Sequence, residues 1–451
     1  MKPGIRLLTL QASLLLGSFG LIEAQGHEHG DPTVESAQQV SEDVHAAHQH
    51  GSPNPLVIPE SRNASGTAWQ PDSTPIHGLH HWWGGWTIMG HWNFFAGYDD
   101  QGSDRGDSDW TGPNWVMAME SHPAGWGVLM FREMLSLDPL TIGKEGYPLL
   151  LQTGEALDGE PLHDRQHPHD LFMELAALYT VPVSDSLALQ LYAAPSGEPA
   201  LGPVAFPHRL SAMSDPLAPL AHHWQDSTHI SFGVLTAGLM TRRIKVEGSW
   251  FNGREPDEDR YDFDFRRLDS YSGRISFNPT QNWSFQASYG YLDSPEELAP
   301  DNSVHRLTAS ASANFPLRDS GNLAVTGVFG RNHASEEPDT SSWLLEANCG
   351  LGSRHVVFGR FEHVEKTGHD LDLTPALEEE IFPVDSFVAG YLFNVWRTAD
   401  FTLGVGARAD INLIEDDLEP FYGTTRPAGY MIFLQFQPAP MRHPPDHSAH
   451  P

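Results

Sequence analysis

The sequence predicts an all-β fold, a transmembrane antiparallel β-barrel of the outer-membrane type with about sixteen strands. Three observations lead to this prediction. Apolar and polar residues alternate from about residue 85 to 437, and the connections between alternating segments are long and short in turn. The chain also begins like an exported protein but has no later apolar run long enough for a spanning helix. A count of roughly 14 or 18 strands stays open, because strand ends read from sequence err by a few residues.

The alternation is clearest in the second half of the chain. From Trp283 to Tyr291 every second residue is aromatic or apolar, and the residues between are Ser, Gln or Gly; residues 401–411 alternate in a similar way. Successive side chains of a strand point to opposite faces, so one face of each strand is apolar and the other is small or polar. In a soluble β-sandwich the polar face would carry more Lys and Glu. The pattern therefore favours strands between lipid and a polar interior.

Connection lengths give the second argument. Every other connection is tight and the rest are longer, up to two of about 33 residues at 137–170 and 195–227. Bacterial outer-membrane barrels have short periplasmic turns and long external loops, and an even strand number returns both ends of the chain to the periplasm. We place the strands at 85–98, 113–122, 125–136, 171–182, 185–194, 228–241, 243–253, 265–278, 282–293, 303–316, 321–332, 341–351, 353–365, 385–397, 399–412 and 428–438.

Composition limits the classes of function. The chain has 451 residues and a formal net charge of −33, so nucleic acids and anionic surfaces are poor partners for it. A single cysteine, Cys349, excludes an intramolecular disulfide framework and a thiolate metal cluster. The 25 histidines are the unusual feature, and they are concentrated near the two ends and in a few internal segments.

The two ends of the chain have distinct patterns. Residues 1–24 combine Lys2 and Arg6 with an apolar run, as secretory signal peptides do. Residues 25–63 and 439–451 hold too little apolar surface to fold, so we expect flexible periplasmic tails, a lead-in at 64–84 and the barrel at 85–438. Imidazoles on such tails bind zinc, copper or nickel reversibly, although an arbitrary low-complexity tail also explains them. The tail histidines are His27, His29, His45, His48, His50, His443, His447 and His450.

Side chains of both charge signs are predicted on the inner face of the wall. A barrel of about sixteen strands is wide enough for water, so these side chains either line a pore or pair with one another and fill the interior. Met89 and His91 add a thioether and an imidazole, which suit copper or silver, although methionine more often serves packing. The predicted inward set is Met89, His91, Glu120, Arg132, Glu174, Lys245, Glu247, Arg274, Glu346, Arg408 and Asp410.

Histidines on the two longest loops form a second candidate site. Loops of this length usually have a function or fold inward. Two such loops that meet over the barrel mouth would bring imidazoles around a metal ion, at about 2.0–2.1 Å from it. The structural alternative is that His and Asp cap turns and bind backbone groups. The loop histidines are His163, His167, His169, His222, His223 and His229.

Catalytic motifs are scarce. The sequence after residue 24 contains neither a Gly-x-Ser-x-Gly elbow, nor a His-Glu-x-x-His motif, nor a phosphate-binding loop. Outer-membrane barrel hydrolases use Ser and His on the wall, and Ser227 with His229 is the nearest local pair, at a spacing that is common by chance. We therefore expect a protein that is not an enzyme.

Four stretches resemble a family of exported bacterial proteins that accompany heavy-metal efflux and copper-resistance genes. They are Ser65–Pro75, Tyr147–Glu155, Asp164–Leu175 and His222–Gly233. The family has no established activity or ligand set, so the resemblance implies a metal-related role and transfers no functional residue. The plan of signal, histidine-rich tail and barrel is also similar to copper resistance protein B. This chain lacks the methionine-rich repeats of that protein, which speaks against copper(I) in particular.

These observations predict an outer-membrane protein for heavy-metal handling or tolerance. The tails would collect cations of the copper or zinc type, and the barrel or its loops would pass or hold them. We expect no obligatory cofactor, only transient copper or zinc. The expected partners are outer-membrane lipid, lipopolysaccharide, metal cations and periplasmic metal-efflux components. One alternative is a general or solute-selective porin without a metal role, and another is an outer-membrane lipid hydrolase.

Overall fold

The sixteen wall strands form a closed antiparallel barrel. The computed structural model describes Leu56 and residues 58–441, and the predicted signal peptide and all the tail histidines lie outside the described residues. Within the described part, no helix has the length and apolar character needed to cross a bilayer. The strands are β1 Leu79–Trp83, β2 Trp86–Gly102, β3 Ser108–Thr111, β4 Asn114–Ala124, β5 Gly127–Leu135, β6 Tyr147–Leu157, β7 Glu160–Gln166, β8 Phe172–Ser184, β9 Leu187–Gly197, β10 Ser231–Met240, β11 Ile244–Phe251, β12 Ser270–Thr280, β13 Trp283–Asp293, β14 Ser303–Pro316, β15 Asn322–Ala334, β16 Thr340–Leu351, β17 His355–Thr367, β18 Ile381–Arg397, β19 Phe401–Leu413 and β20 Ala428–Pro438.

Closure of the barrel takes place at β2. Its first half pairs with β4 and its second half with β20, while the short strands β1 and β3 pair with the remaining edges of β2. The strands β6 and β7 pair only with each other and are not part of the wall. The predicted sixteen-strand barrel is therefore confirmed, and the largest error in a strand end is at β12, predicted from 265 and observed from Ser270.

Short turns and long loops lie at opposite ends of the barrel, as predicted. The turns after β4, β8, β10, β12, β14, β16 and β18 are short, and two of them use glycines with positive φ, Gly125 and Gly352. We refer to this end as the short-turn end, which is periplasmic in outer-membrane barrels. The loops at the other end contain the short helices Asp138–Thr141, His222–Gln225 and Glu419–Tyr422.

The prediction that Glu120 faces the interior is wrong. Glu120 is the cross-strand partner of Phe131, whose side chain is exposed on the outer wall, whereas Met119 pairs with the buried Arg132. Directly paired residues share a face, so Glu120 points outward. The reason for the error is that β4 has apolar residues on both faces, including Met117 inside, and charge alone was a poor guide to direction.

Three segments of the chain fill the barrel interior. The first is the lead-in, residues 58–78, which enters at the short-turn end, where Ser73 N–H donates to the carbonyl of Gln281. The predicted flexible tail extended to residue 63, but Ser61 and Arg62 within it are already buried. Arg62 is buried, donates to Asp72 at 2.6 Å, and stacks over Trp69 at 4.8 Å. The apolar and paired side chains of this stretch explain why it folds.

Loop A (residues 136–171) and loop B (residues 198–230) fill the rest. Loop A contributes the β6–β7 hairpin, and loop B contributes the buried residues 217–221 with Trp224. These residues form one apolar core with wall residues such as Phe433 and with Tyr422 of the last long loop. Loop B also reaches the lead-in, since Ala205 N–H donates to Ser65 Oγ at 2.9 Å. The lead-in and loops A and B therefore occupy the barrel interior.

Inward charges on the wall are paired or bound to these segments. Arg132 and Lys245 donate to lead-in carbonyls, Arg132 to Ala64 and Gly66 and Lys245 to Thr67. Loop B supplies partners in the same way. The ion pairs inside the barrel include Arg132–Glu174 at 3.6 Å, Lys245–Glu247 at 3.3 Å, Arg274–Glu247 at 2.9 Å, Arg209–Glu346 at 2.5 Å, Arg408–Asp215 at 3.4 Å and Arg408–Asp410 at 3.1 Å.

We predict that Glu346→Gln destabilises the packed interior. Arg209 and Glu346 are both buried, so the variant leaves the guanidinium with only Asp226 as an anionic partner. Breaking a buried ion pair from one side costs about 3 kcal/mol of unfolding free energy. Urea unfolding of the detergent-solubilised protein, followed by tryptophan fluorescence, measures the change. The control Asp158→Asn removes the exposed pair with Lys144 and should leave the midpoint unchanged; equal midpoints for both variants would contradict the prediction.

Candidate functional site

Loops A and B bring five of the six predicted loop histidines together. His167 and His169 follow strand β7, and Pro168 between them has no backbone N–H and favours an extended chain. His222 and His223 begin a short helix of loop B, and His229 ends a single 3-10 turn. We call these five residues the histidine cluster. Its ring centroids are 6.1 Å apart for His167–His223, 5.3 Å for His169–His229, 5.4 Å for His222–His223 and 5.0 Å for His222–His229.

Most of these rings are held at Nδ1 by a hydrogen-bond acceptor. His169 Nδ1 lies 2.8 Å from Asp138 Oδ2, and His222 Nδ1 lies 2.7 Å from Asp226 Oδ1. His229 Nδ1 lies 2.9 Å from the carbonyl of Asp226. An acceptor at Nδ1 favours the tautomer with its proton there, which leaves the lone pair of Nε2 free.

Three Nε2 atoms of the cluster are buried and have no hydrogen-bond partner, those of His169, His223 and His229. His223 is held from its other side, where Nδ1 lies 3.3 Å from Glu255 Oε1. Buried polar atoms without partners are uncommon in folded proteins and often indicate a function. Imidazoles oriented by carboxylates at one nitrogen and open at the other have the arrangement found around bound metal ions.

Burial lowers the pKa of two imidazoles of the cluster, those of His167 and His229. Burial, followed by the nearby rings of His222 and His169, lowers the pKa of His229 well below its ordinary value. Burial and then the guanidinium of Arg260 do the same to the pKa of His167. Burial alone would raise the pKa of Asp226, but His222 and Arg209 together hold that pKa below its usual range. Neutral imidazoles beside an ionised carboxylate are the protonation states that a metal ion requires.

The void between these rings is small. The cluster, with Glu155, Asp170 and Glu255, lines a cavity of about 10 Å³, which is about the space of one water molecule. Among residues 58–441 the groups of three donor atoms within 4.8 Å of one another are Glu296–Glu337–His369 and Asp257–Asp262–Asp264, and the histidine cluster is not one of them. Ring rotations are therefore needed before three of its nitrogens could share one ion.

An acidic region adjoins the histidine cluster at the long-loop end. Glu255, which holds His223, also affects Glu296 of the next loop: burial first, and then the charge of Glu255, raises the pKa of Glu296 well above its ordinary value. Glu296 belongs to the three-donor group with Glu337 and His369, from three different loops. The loops thus gather carboxylates next to the imidazoles.

The remaining predicted residues lie elsewhere. His163 is not part of the histidine cluster, because its Nδ1 faces Asp372 at 3.3 Å in a half-exposed position. Met89 and His91 face inward near the short-turn end, where His91 lies 5.6 Å from His208 of loop B, measured between ring centroids. The other charged residues that were predicted to face inward are all buried. They are Arg132, Glu174, Lys245, Glu247, Arg274, Glu346, Arg408 and Asp410.

Sequence reasoning did not identify the carboxylates that orient the histidines. Asp138 and Glu255 are distant in sequence from the residues they hold, His169 and His223, so no spacing pattern connects them. Asp226 did have a local signal, because it follows His222 by one helical turn. The approach of His208 to His91 depends on how loop B folds inside the barrel, which no sequence pattern indicates.

Comparisons with solved structures find similarity to outer-membrane proteins at low sequence identity. An anion-selective porin from Comamonas acidovorans has 10% sequence identity and a TM-score of 0.47, with 78% of this chain and 99% of that chain covered. Salmonella typhi OmpF, in complex with daunomycin, has 10% identity and a TM-score of 0.47, with 80% and 100% covered. The outer membrane channel DcaP of Acinetobacter baumannii has 8% identity and a TM-score of 0.43, with the same coverage. No protein-family model and no curated protein matches the chain.

Similarities at this level of identity and TM-score say nothing about the function of this chain. Neither the family models nor the curated proteins support the association with copper-resistance proteins that four sequence stretches suggest.

We predict that Asp138→Ala releases the loop A side of the histidine cluster. Asp138 is buried and accepts hydrogen bonds from the backbone of Asn114 and from His169, at both its backbone and its ring. Each bond to a buried charge contributes about 1.5–3 kcal/mol, so amide exchange at 167–171 should rise at least tenfold. Hydrogen–deuterium exchange measures it. Asp372→Ala, which frees only His163, is the control, and unchanged exchange in Asp138→Ala would refute the contribution assigned to this carboxylate.

Proposed function

We propose that this outer-membrane barrel handles divalent transition-metal cations, zinc or copper(II), and that the histidine cluster holds them. The observation that carries the proposal is the state of three imidazoles. His169, His223 and His229 are each oriented at Nδ1 by an acceptor, and each has a buried Nε2 without a hydrogen-bond partner.

The donor set favours a borderline divalent cation. Imidazole nitrogens with nearby carboxylates suit zinc and copper(II), whereas sites for magnesium or calcium are built mainly from oxygen ligands. Glu155 and Glu255 line the same void, and Glu155 lies 3.2 Å from His167 Nε2. A bound cation would also offset the excess of acidic groups at this end of the barrel.

The tails fit the same proposal. Their histidines would capture cations at the periplasmic face, while the histidine cluster lies at the opposite, long-loop end. Outer-membrane lipid, lipopolysaccharide and periplasmic metal-efflux components are the partners proposed for such a protein. The four sequence stretches that resemble proteins accompanying copper-resistance genes agree with this role.

The two alternatives receive less support. A general porin needs a wide aqueous lumen, whereas here the lead-in and loops A and B pack the interior. A hydrolase would need a serine next to a free base. Ser227 Oγ accepts a hydrogen bond from Arg306 at 2.8 Å, and His229 Nδ1 is directed at the carbonyl of Asp226. Neither contact prepares Ser227 as a nucleophile.

We predict that His169→Ala/His223→Ala/His229→Ala lowers zinc binding by one ion per chain. The three lost nitrogens are the ones left open by the fold, so the tightest binding phase should disappear. Isothermal titration of the detergent-solubilised full chain with zinc chloride measures stoichiometry and affinity, and elemental analysis after desalting gives the retained metal. The matched control is His122→Ala/His305→Ala/His355→Ala, which removes three histidines outside the cluster.

Replacement of the tail histidines by alanine distinguishes zinc binding by the tails from zinc binding by the histidine cluster. Substitution is preferable to deletion because Ser61 and Arg62, within the predicted tail, are buried and Arg62 pairs with Asp72. This variant should lose only the weaker, more numerous zinc sites. If the wild type and the cluster variant bind zinc with equal stoichiometry and affinity, the histidine cluster is not the metal site.

A further inference from the structure

A second group of side chains with metal-ligand chemistry, thioethers and imidazoles, lies on the inner face of the wall, outside the histidine cluster. The sequence has 11 methionines, and six of them pack together on the inner faces of β4, β5 and neighbouring strands. This methionine cluster consists of Met89, Met117, Met119, Met130, Met134 and Met173. Met213 of loop B lines the same cavity as two of its members.

The register of the strands places the methionines and His91 in direct cross-strand pairs. Met89 of β2 is the direct partner of Met119 of β4, and His91 is the direct partner of Met117. Met117 in turn pairs with Met134 of β5. Direct partners on one face have Cβ atoms about 4.5–5.5 Å apart, within reach of one another's side chains. Two adjacent rows of thioethers, with one imidazole among them, therefore cover this part of the wall.

A partly open cavity lies beside these rows. Its volume is about 80 Å³, and it is lined by Met89, Met119, Met213 and His91 together with His77 of the lead-in. Methionine side chains are flexible and usually fill such gaps. The lead-in also leaves room for the thioether, because a Cβ built on Gly78 would lie only 3.2 Å from Met89 Sδ.

His91 has a free nitrogen in this region. Its Nε2 is buried and has no hydrogen-bond partner. His208 is different, because its Nε2 lies 3.1 Å from Met134 Sδ and is already engaged. Trp115 packs against both rings, with centroid distances of 5.0 Å to His91 and 4.7 Å to His208, and an indole face attracts cations.

The charged residues around this cavity do not favour binding of a hard divalent ion. Arg132 lines the cavity, but its charge is offset by Glu174 at 3.6 Å, and its two terminal nitrogens donate to lead-in carbonyls. The carboxylate that lines the cavity is Glu60, which is 43% exposed and faces His80. Neutral sulfur and nitrogen donors without an inward carboxylate select soft, monovalent ions.

We propose that this cavity binds a soft monovalent metal ion, copper(I) or silver(I), through Met89, Met119, Met213 and His91. The sequence has no methionine-rich repeat, and the fold assembles the thioethers from separate strands and a loop instead. The cavity and the histidine cluster are separate sites with different donors. Each site is therefore tested with its own ion.

Silver binding by the full chain tests this site without a reductant. Titration with silver nitrate in chloride-free detergent buffer should show one fewer silver ion per chain for Met89→Leu/Met119→Leu than for the wild type. Leucine conserves apolar volume, so folding is expected to survive. The control Met240→Leu/Met431→Leu, outside the methionine cluster, should match the wild type.

X-ray absorption at the silver edge gives an independent readout on the wild type. Sulfur neighbours that disappear in Met89→Leu/Met119→Leu support the site. Equal silver stoichiometry in the two proteins, or only nitrogen and oxygen neighbours in the wild type, overturns it. The triple histidine variant should keep this silver site, and Met89→Leu/Met119→Leu should keep the zinc site. A negative result for one site therefore leaves the proposal for the other site unaffected.

Discussion

Buried charge is the constraint on which the rest of the interior depends. A wall of sixteen strands encloses more space than its own side chains fill, and its inner face here carries Arg132, Lys245 and Arg274. Such charges are stable inside a barrel only with water or with paired partners. The lead-in supplies carbonyls to Arg132 and Lys245 and the Thr67 hydroxyl to Arg274, at 2.9 Å. Loop B supplies Arg209 to Glu346. The charged wall residues and the segments inside the barrel therefore stabilise each other.

The candidate sites are consequences of this filling. Loops A and B fold inward over the packed core, and their histidines meet because the loops are held side by side there. His222, for example, is fixed by Asp226, which is itself fixed by Arg209. The same inward path brings His208 to His91 at the short-turn end. Buried polar atoms without hydrogen-bond partners occur throughout the described interior, and the Nε2 atoms of His91, His169, His223 and His229 are among them.

The strands of the wall could be predicted from sequence because the alternation of apolar and polar residues is visible within each strand. Alternation of residues from Trp283 to Tyr291, and the alternation of turn lengths, depend only on neighbours along the chain. The direction of Glu120 was not predictable, since β4 is apolar on both faces and offers no contrast between inside and outside. The partners of the histidines were not predictable either, because Asp138–His169 and Glu255–His223 are contacts between distant segments. The loops were expected to meet over the mouth, but the packed interior below them was only one of two alternatives.

Conductance in planar lipid bilayers tests the central claim, that the interior is a packed core rather than an aqueous pore. The account predicts that the full chain, reconstituted at neutral pH, gives no steady conductance steps like those of an open sixteen-strand porin recorded in the same bilayer and salt. Stable, long-lived open steps of porin size would contradict it, because they require a continuous water path where the lead-in and loops A and B are packed.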